Sequence, residues 1–206
     1  MRRVRDHSPR RNPDEDPQHF YECLRASNLP ERYWRSTPDK IKGDELRAWV
    51  ERQLATEKEW LSEGKGLYLM GDLNSGKSSI AAMLLMDAVR RCESALWLSV
   101  RDVPTVRFRE GERGQALSAR LDTCDLLVLD DLGSERFRLS SAAGAALEET
   151  VRILYDRGRS LIVTANVSWR QLDVQYGAEA GPFVSVLRRL VTPYHVVYDQ
   201  WPLEPM

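Results

Sequence analysis

The chain has 206 residues, 42% of them hydrophobic and 30% charged, with a formal net charge of −1. That length allows one α/β domain with a full core and a short appendage. The near-zero charge excludes a global field drawing the molecule to nucleic acid or membrane, so any such contact comes from a local patch. Three scattered cysteines, Cys23, Cys92 and Cys124, form no C-x-x-C pair, which argues against disulfides and zinc and fits a reducing cytoplasm. No apolar run is long enough for a membrane helix, and the charged N-terminus lacks the apolar stretch of a secretory signal, so the expectation is a cytoplasmic protein.

In chain order, residues 1–19 read as a disordered arm. Arg2, Arg3, Arg5, Arg10 and Arg11 are followed by Asp14-Glu15-Asp16, a composition that buries little apolar surface. A solvated tail is favoured over an arm that touches DNA phosphates. Residues 20–65 read as a helical lead-in. Phe20 to Ser27 forms a short helix, and Asp44 to Glu63 a longer one with Leu46, Trp49, Val50, Leu54 and Leu61 at near-helical spacing. The core runs over 66–200. Its strands are expected at Gly66–Met70, Ala95–Ser99, Asp125–Asp130, Leu161–Ala165 and Tyr194–Tyr198. Helices are expected from Ser79 onward, over Ser141–Asp156, and at 168–176 and 183–191. Residues 100–120 are charged and mixed and give no clear element, and 201–206 are a C-terminal tail. Strands alternating with helices predict an α/β fold, a parallel five-stranded sheet with helices on both faces.

Between the first strand and its helix stands Gly71-Asp72-Leu73-Asn74-Ser75-Gly76-Lys77-Ser78, the P-loop spacing G-x-x-x-x-G-K-[ST]. Backbone N–H groups of a tight loop turn inward around a polyphosphate, so glycine stands where a Cβ would block them. Lys77 offers a point charge to the β- and γ-phosphates, and the Ser78 hydroxyl can ligate Mg²⁺. The following helix, from Ser79, presents its N-terminus to the anion. Gly71, Asn74, Ser75, Gly76, Lys77, Ser78 and Ser79 are therefore the expected nucleotide-binding set, with ATP and Mg²⁺ as ligands.

A buried strand ending in carboxylates supplies the other half of such a site. Asp130 closes four apolar residues and is the expected metal ligand with Ser78. Asp131 either polarises the attacking water or caps the turn into Leu132-Gly133. Asn166, after Leu161–Ala165, faces the γ-phosphate if that strand lies beside the P-loop strand; alternatively it only forms a turn. Arg188 and Arg189 lie on a mostly apolar helix, as a solvated edge or as an arginine finger aimed at a neighbour's nucleotide.

From roughly residue 22 to 198 these pieces resemble the AAA+ ATPases of the DnaC/DnaI helicase-loader group and the related IstB transposition helpers. Glu22 to Tyr33 is similar to that group's lead-in with its I-P-x-R-Y-like turn. Ser99-Val100-Arg101-Asp102-Val103 resembles its V-P-D-L segment, and Asp125 to Glu135 its D-L-L-I-I-D-D-L-G-x-E. Thr164-Ala165-Asn166 resembles its T-S-N sensor, and Val186 to Leu190 its I-x-S-R-L box. The resemblance implies a P-loop NTPase of AAA+/RecA-like type, in which Asp131, Asn166 and Arg189 are catalytic and Arg189 rather than Arg188 is the finger. Three departures stand out. Asn74 replaces a third loop glycine, and Gly181-Pro182-Phe183 replaces G-E-R. Only about twenty residues precede the shared region, where DnaC-type loaders carry a separate helicase-gripping domain.

The resemblance implies an ATPase that helps DNA replication by loading the replicative DNA helicase onto single-stranded DNA, as a homo-oligomer with shared active sites. The alternatives are a transposition helper that directs a transposase, or a nucleotide-gated binding module with little turnover. A small-molecule kinase also uses a P-loop, but the D-D-L-G and T-A-N segments speak against one.

Overall fold

The computed structural model describes residues 16–91, 93–109, 111–133, 141–176 and 181–196. The basic arm at 2–11, Cys92, Ser134-Glu135 and the tail 201–206 lie outside the described residues.

Five strands form one sheet: β1 (Gly66–Met70), β2 (Ala95–Ser99), β3 (Leu126–Leu132), β4 (Ser160–Ala165) and β5 (Val191–His195). All are parallel, in the order β2-β3-β4-β1-β5. Each of β1 to β4 is almost wholly buried, which is what a parallel sheet covered on both faces demands. Side chains alternate between two cores. Tyr68, Leu96, Leu98, Leu127, Leu129, Leu161 and Val163 face one side, and Leu67, Leu69, Ala95, Trp97, Leu126, Val128 and Ile162 the other. The parallel sheet with its helical layers is the expected P-loop NTPase architecture.

On the second side lies α3 (Lys77–Arg90), buried around nearly its whole circumference. Its sequence explains this: Ile80-Ala81-Ala82-Met83-Leu84-Leu85-Met86 has no polar stripe, and a helix apolar all round must be covered all round. The covering layer is the lead-in, α1 (Pro17–Ala26) and α2 (Asp44–Ser62). α1 starts three residues ahead of its expected start because Asp16 caps it, its carboxylate accepting the His19 N–H at 3.1 Å. The lead-in also closes the β2 edge. Trp97 N–H donates to Ser27 O at 2.8 Å, and Asn28 Nδ2 donates to Trp97 O at 3.0 Å.

The first side carries α4 (Val103–Phe108), α5 (Glu112–Thr123), α6 (Ala142–Asp156), α7 (Trp169–Tyr176) and α8 (Gly181–Leu190). The charged stretch 100–120 is thus helical. Its charges are organised around Arg107, which donates to Thr150 Oγ1 at 3.0 Å and Ser118 Oγ at 3.4 Å and pairs with Asp122 at 2.6 Å. That cluster ties α4, α5 and α6 together. The last strand is displaced from its expected position at 194–198 and begins directly after α8. Pro193 sits in its middle, tolerated because β5 is a sheet edge and owes no further N–H. Gly66 is fixed by strand approach, since a Cβ there would lie 1.7 Å from Leu161 O.

Among the described residues, no helix is long and apolar enough to cross a membrane.

Candidate nucleotide site

The C-terminal ends of β1, β3 and β4 come together because these strands are neighbours in the sheet. The P-loop leaves β1 and enters α3. Asn74 takes φ 63° and Gly76 φ 89°, so Asn74 adopts the left-handed conformation that the missing third glycine would have taken. At Gly71 the constraint is different. A Cβ there would lie 2.3 Å from Val196 O, so this glycine lets the P-loop pass the chain leaving β5.

Lys77 turns back onto its own loop. Its ammonium donates to Gly71 O at 3.0 Å, Asp72 O at 2.5 Å and Ser75 Oγ at 3.2 Å, and the residue is only 7% exposed. Burial lowers its pKa from the ordinary lysine value, opposed by Asp131, Asp72 and Asp130. A cation so held is aimed at the loop's interior, where polyphosphate oxygens are recognised.

Asp130 and Asp131 are adjacent in sequence but sit in different surroundings. Asp130 is buried, and its Oδ1 accepts from Ser78 Oγ at 2.7 Å and from Thr164 Oγ1 at 2.6 Å. The β3–β4 register then shifts between Leu129 and Leu132, and Asp131 takes φ 70°. This bulge turns Asp131 out of the pleat and towards the cleft. Its N–H donates to Thr164 Oγ1 at 2.9 Å. Its two carboxylate oxygens face Asn166 Nδ2 at 3.3 Å and Arg101 Nη2 at 3.5 Å, both long contacts on a half-exposed group.

These groups line a cleft of 1370 Å³ that also takes in Ser79. Its other wall is the lead-in, including Asn28, Leu29, Tyr33, Ile41 and Arg47. The structure therefore brings together Asn74, Ser75, Gly76, Lys77, Ser78, Ser79, Asp130, Asp131 and Asn166. Gly71 is joined to them through the Lys77 hydrogen bond. Arg189 is not among the lining residues. It lies on the exposed side of α8 and donates to the Tyr155 hydroxyl at 3.3 Å, while Arg188 lies over the Trp169 ring at 5.5 Å.

Three contributions escape the sequence reading. Thr164 bridges the two aspartates; it stands in the sensor-like segment, but a threonine closing an apolar run reads as a strand former and the role fell to Asn166. Arg101 reaches Asp131 from the turn after β2, and its one signal is that arginine stands where the resembling segment has proline. The lead-in wall depends on long-range packing of α2 on α3, which no local pattern carries.

The parallel sheet and the glycine-rich loop between β1 and α3 define the fold as that of a P-loop NTPase. The chain belongs to the IstB-like ATP binding protein family, which matches residues 14–200. Over 116 residues it is 32% identical to a Sinorhizobium fredii protein described as an insertion sequence ATP-binding protein. That match takes in 55% of this chain and 38% of the relative, so the chain spans well under half of the relative's length. Among solved structures, it is similar to the DnaC helicase loader, with TM-score 0.66 and 22% identity over 81% of this chain and 99% of that one. It is also similar to DnaI, with TM-score 0.69 and 20% identity over 84% and 94% of the two chains. These two likenesses speak to the fold.

Proposed function

We propose that this chain hydrolyses ATP to build and release a protein–DNA assembly, acting as an oligomer whose active sites lie between subunits. The observation that carries the reading is the split surroundings of Asp130 and Asp131, one bonded to the Ser78 hydroxyl and the other turned towards the cleft by the strand bulge. Ser78 and Asp130 offer hard oxygen donors 2.7 Å apart, which would suit Mg²⁺. A metal held by these two residues would supply positive charge to offset that of the polyphosphate. Lys77 moves its three hydrogen bonds from the loop to the β- and γ-oxygens. The adenosine lies along the lead-in wall. Asp131 polarises a water that attacks the γ-phosphorus; the bond to the β–γ bridging oxygen breaks and ADP leaves. Asn166 holds the Asp131 carboxylate, and Arg189 of a neighbouring subunit neutralises charge on the transferred phosphoryl group.

Two partners fit. Family membership and the insertion-sequence relative favour a transposition helper, in which the ATP-bound oligomer on DNA engages a transposase. The sequence alone ordered the readings the other way. The likeness to DnaC and DnaI favours the loading of a replicative helicase onto single-stranded DNA. The discriminating experiment is recovery of the tagged chain from its host with a slowly hydrolysed ATP analogue. A transposase in the recovered complex supports the first reading and a hexameric helicase the second. Recovery of neither, from an oligomer that holds nucleotide, would count against both.

A further inference from the structure

Both arginines of α8 rest on aromatic rings, and the rings belong to different parts of the fold. Arg189 leans on Tyr155 of α6. Arg188 lies over Trp169, the first residue of α7. Trp169 in turn stacks on Tyr68, with ring centroids 4.3 Å apart and planes at 18°. Tyr68 is fully buried in β1, and its hydroxyl donates to Val167 O at 2.8 Å. Val167 directly follows Asn166, whose amide faces Asp131. A continuous column of contacts thus joins α8 to the segment that closes the nucleotide cleft.

We propose that Trp169 is a positioning residue for Arg189: stacked on Tyr68 and carrying Arg188, it fixes α8 against the segment after Asn166. Arg189 is thereby presented to a neighbouring subunit at a set height and angle. The proposal rests on the reading of Arg189 as a finger acting in trans. The apolar face of α8, Phe183, Val184, Leu187 and Leu190, holds the helix on the core. That face resists rotation, but ridge-and-groove packing of apolar side chains permits small slides and tilts. A lateral contact on the exposed side removes that freedom. Arg188 provides it, because a guanidinium over an indole face is held by the ring's quadrupole. The neighbouring arginine cannot serve itself, since Arg189 must remain free to leave Tyr155 and reach across the interface. Trp169 therefore acts on catalysis through a residue it does not touch.

Mixed assemblies test this. A Lys77→Ala subunit offers a finger but no competent P-loop, and an Arg189→Ala subunit offers a P-loop but no finger, so their mixture regains activity at one type of interface. Placing Trp169→Leu in the finger-donating Lys77→Ala subunit should cut the regained kcat about tenfold or more, as expected for a catalytic group displaced by a fraction of an ångström. KM for ATP should stay as it was, and Trp169→Phe should keep most of the rate. The same Trp169→Leu change in the Arg189→Ala subunit has no finger to misplace and should cost less than about threefold. Equal losses from both placements would overturn the proposal, as would no loss from the donor placement. Arg188→Ala in the donor, an exposed change that leaves the core alone, should reproduce about a threefold part of the loss and keeps the test valid if Trp169→Leu weakens folding. If the unsubstituted pair regains nothing while each variant still assembles, the finger reading fails, and with it the role of Trp169.

Discussion

The two ends of β3 carry three aspartates and treat them in opposite ways. Just before the strand, Asp125 is closed into a network. One of its oxygens accepts from Ser94 N at 3.1 Å and Ser94 Oγ at 2.9 Å, and the other is paired with Arg159. Burial pushes the Asp125 carboxyl up, but the bonds from Ser94 and the Arg159 charge outweigh it and leave the pKa below the ordinary carboxylate value. At the far end the strand is bulged. Asp131 has a left-handed backbone, and its carboxylate meets Asn166 Nδ2 at 3.3 Å and Arg101 Nη2 at 3.5 Å. The tight, regular end holds the chain together. The irregular end turns a carboxylate towards the cleft, and such strained positions gather at functional sites. A motif beginning and ending in aspartate therefore contains two kinds of aspartate, which only their surroundings separate.

Substitutions at the two ends of β3 and in the P-loop should act differently. The largest effect is expected from Lys77→Ala. It removes the charge proposed to balance the β- and γ-phosphates, and calorimetry should show ATP affinity falling by at least about 10²-fold, the worth of about 2.8 kcal/mol or more. Unchanged affinity would detach the P-loop from nucleotide binding. Asp130→Asn should raise the Mg²⁺ concentration needed for half-maximal ATPase activity by roughly tenfold, the size of a lost charge-assisted contact. A Mg²⁺ titration that superimposes on the parent's would remove Asp130 from the metal site. At the other end of the strand, Asp125→Ala should leave ATP affinity alone and lower stability by about 3 kcal/mol, because Arg159 is left without its partner. Calorimetric melting then shows a Tm fall of about 6–12 °C. Because the folded pKa of Asp125 is depressed, its contribution is complete above its unfolded pKa and is lost as pH falls through the lower folded value, so the variant and parent should converge in acid.

The smallest effect is a gain. Glu57 of α2 has no exposure; among the described residues neither oxygen accepts a hydrogen bond, and the nearest cation, Arg91 Nε, is 3.9 Å away. Burial, with Asp87 facing it, raises its pKa to about 10. Glu57 is therefore protonated at neutral pH and can itself donate to Asp87. The folded state binds this proton more tightly than the unfolded state, so stability falls as pH rises from about 4.5 towards about 10. Glu57→Gln, neutral at every pH, should raise Tm at pH 8 by about 3–6 °C, roughly 1–2 kcal/mol, and flatten that slope. A lower Tm at pH 8 would show that Glu57 is charged and paired.

What the sequence made legible follows from how local each signal is. The P-loop and the apolar run into Asp130 are consecutive residues whose spacing is the chemistry, and the parallel sheet follows from short apolar runs between helices. The helices at 103–123 were hidden because Arg107 meets Asp122, Thr150 and Ser118 only after folding, and before that its charge reads as solvated surface. β5 was displaced because Pro193 reads as a boundary, and only its place at the sheet edge makes it tolerable. Thr164 was hidden for the opposite reason. It fits its strand so well that even the sensor-like segment it opens points to Asn166, not to Thr164, as the polar group.

Asp131 is proposed as the carboxylate that acts on water, Asp130 as the one that holds metal, while Asp125 holds structure. Single-turnover hydrolysis of ATP by Asp131→Asn, with nucleotide saturating and oligomer size checked by light scattering, tests that most directly. Parent-like Mg²⁺-ATP affinity and a hydrolysis rate slower by about 10²–10⁴-fold, the usual worth of a general base, are expected. Hydrolysis at the parent rate would contradict that role and make Asp131 a turn residue.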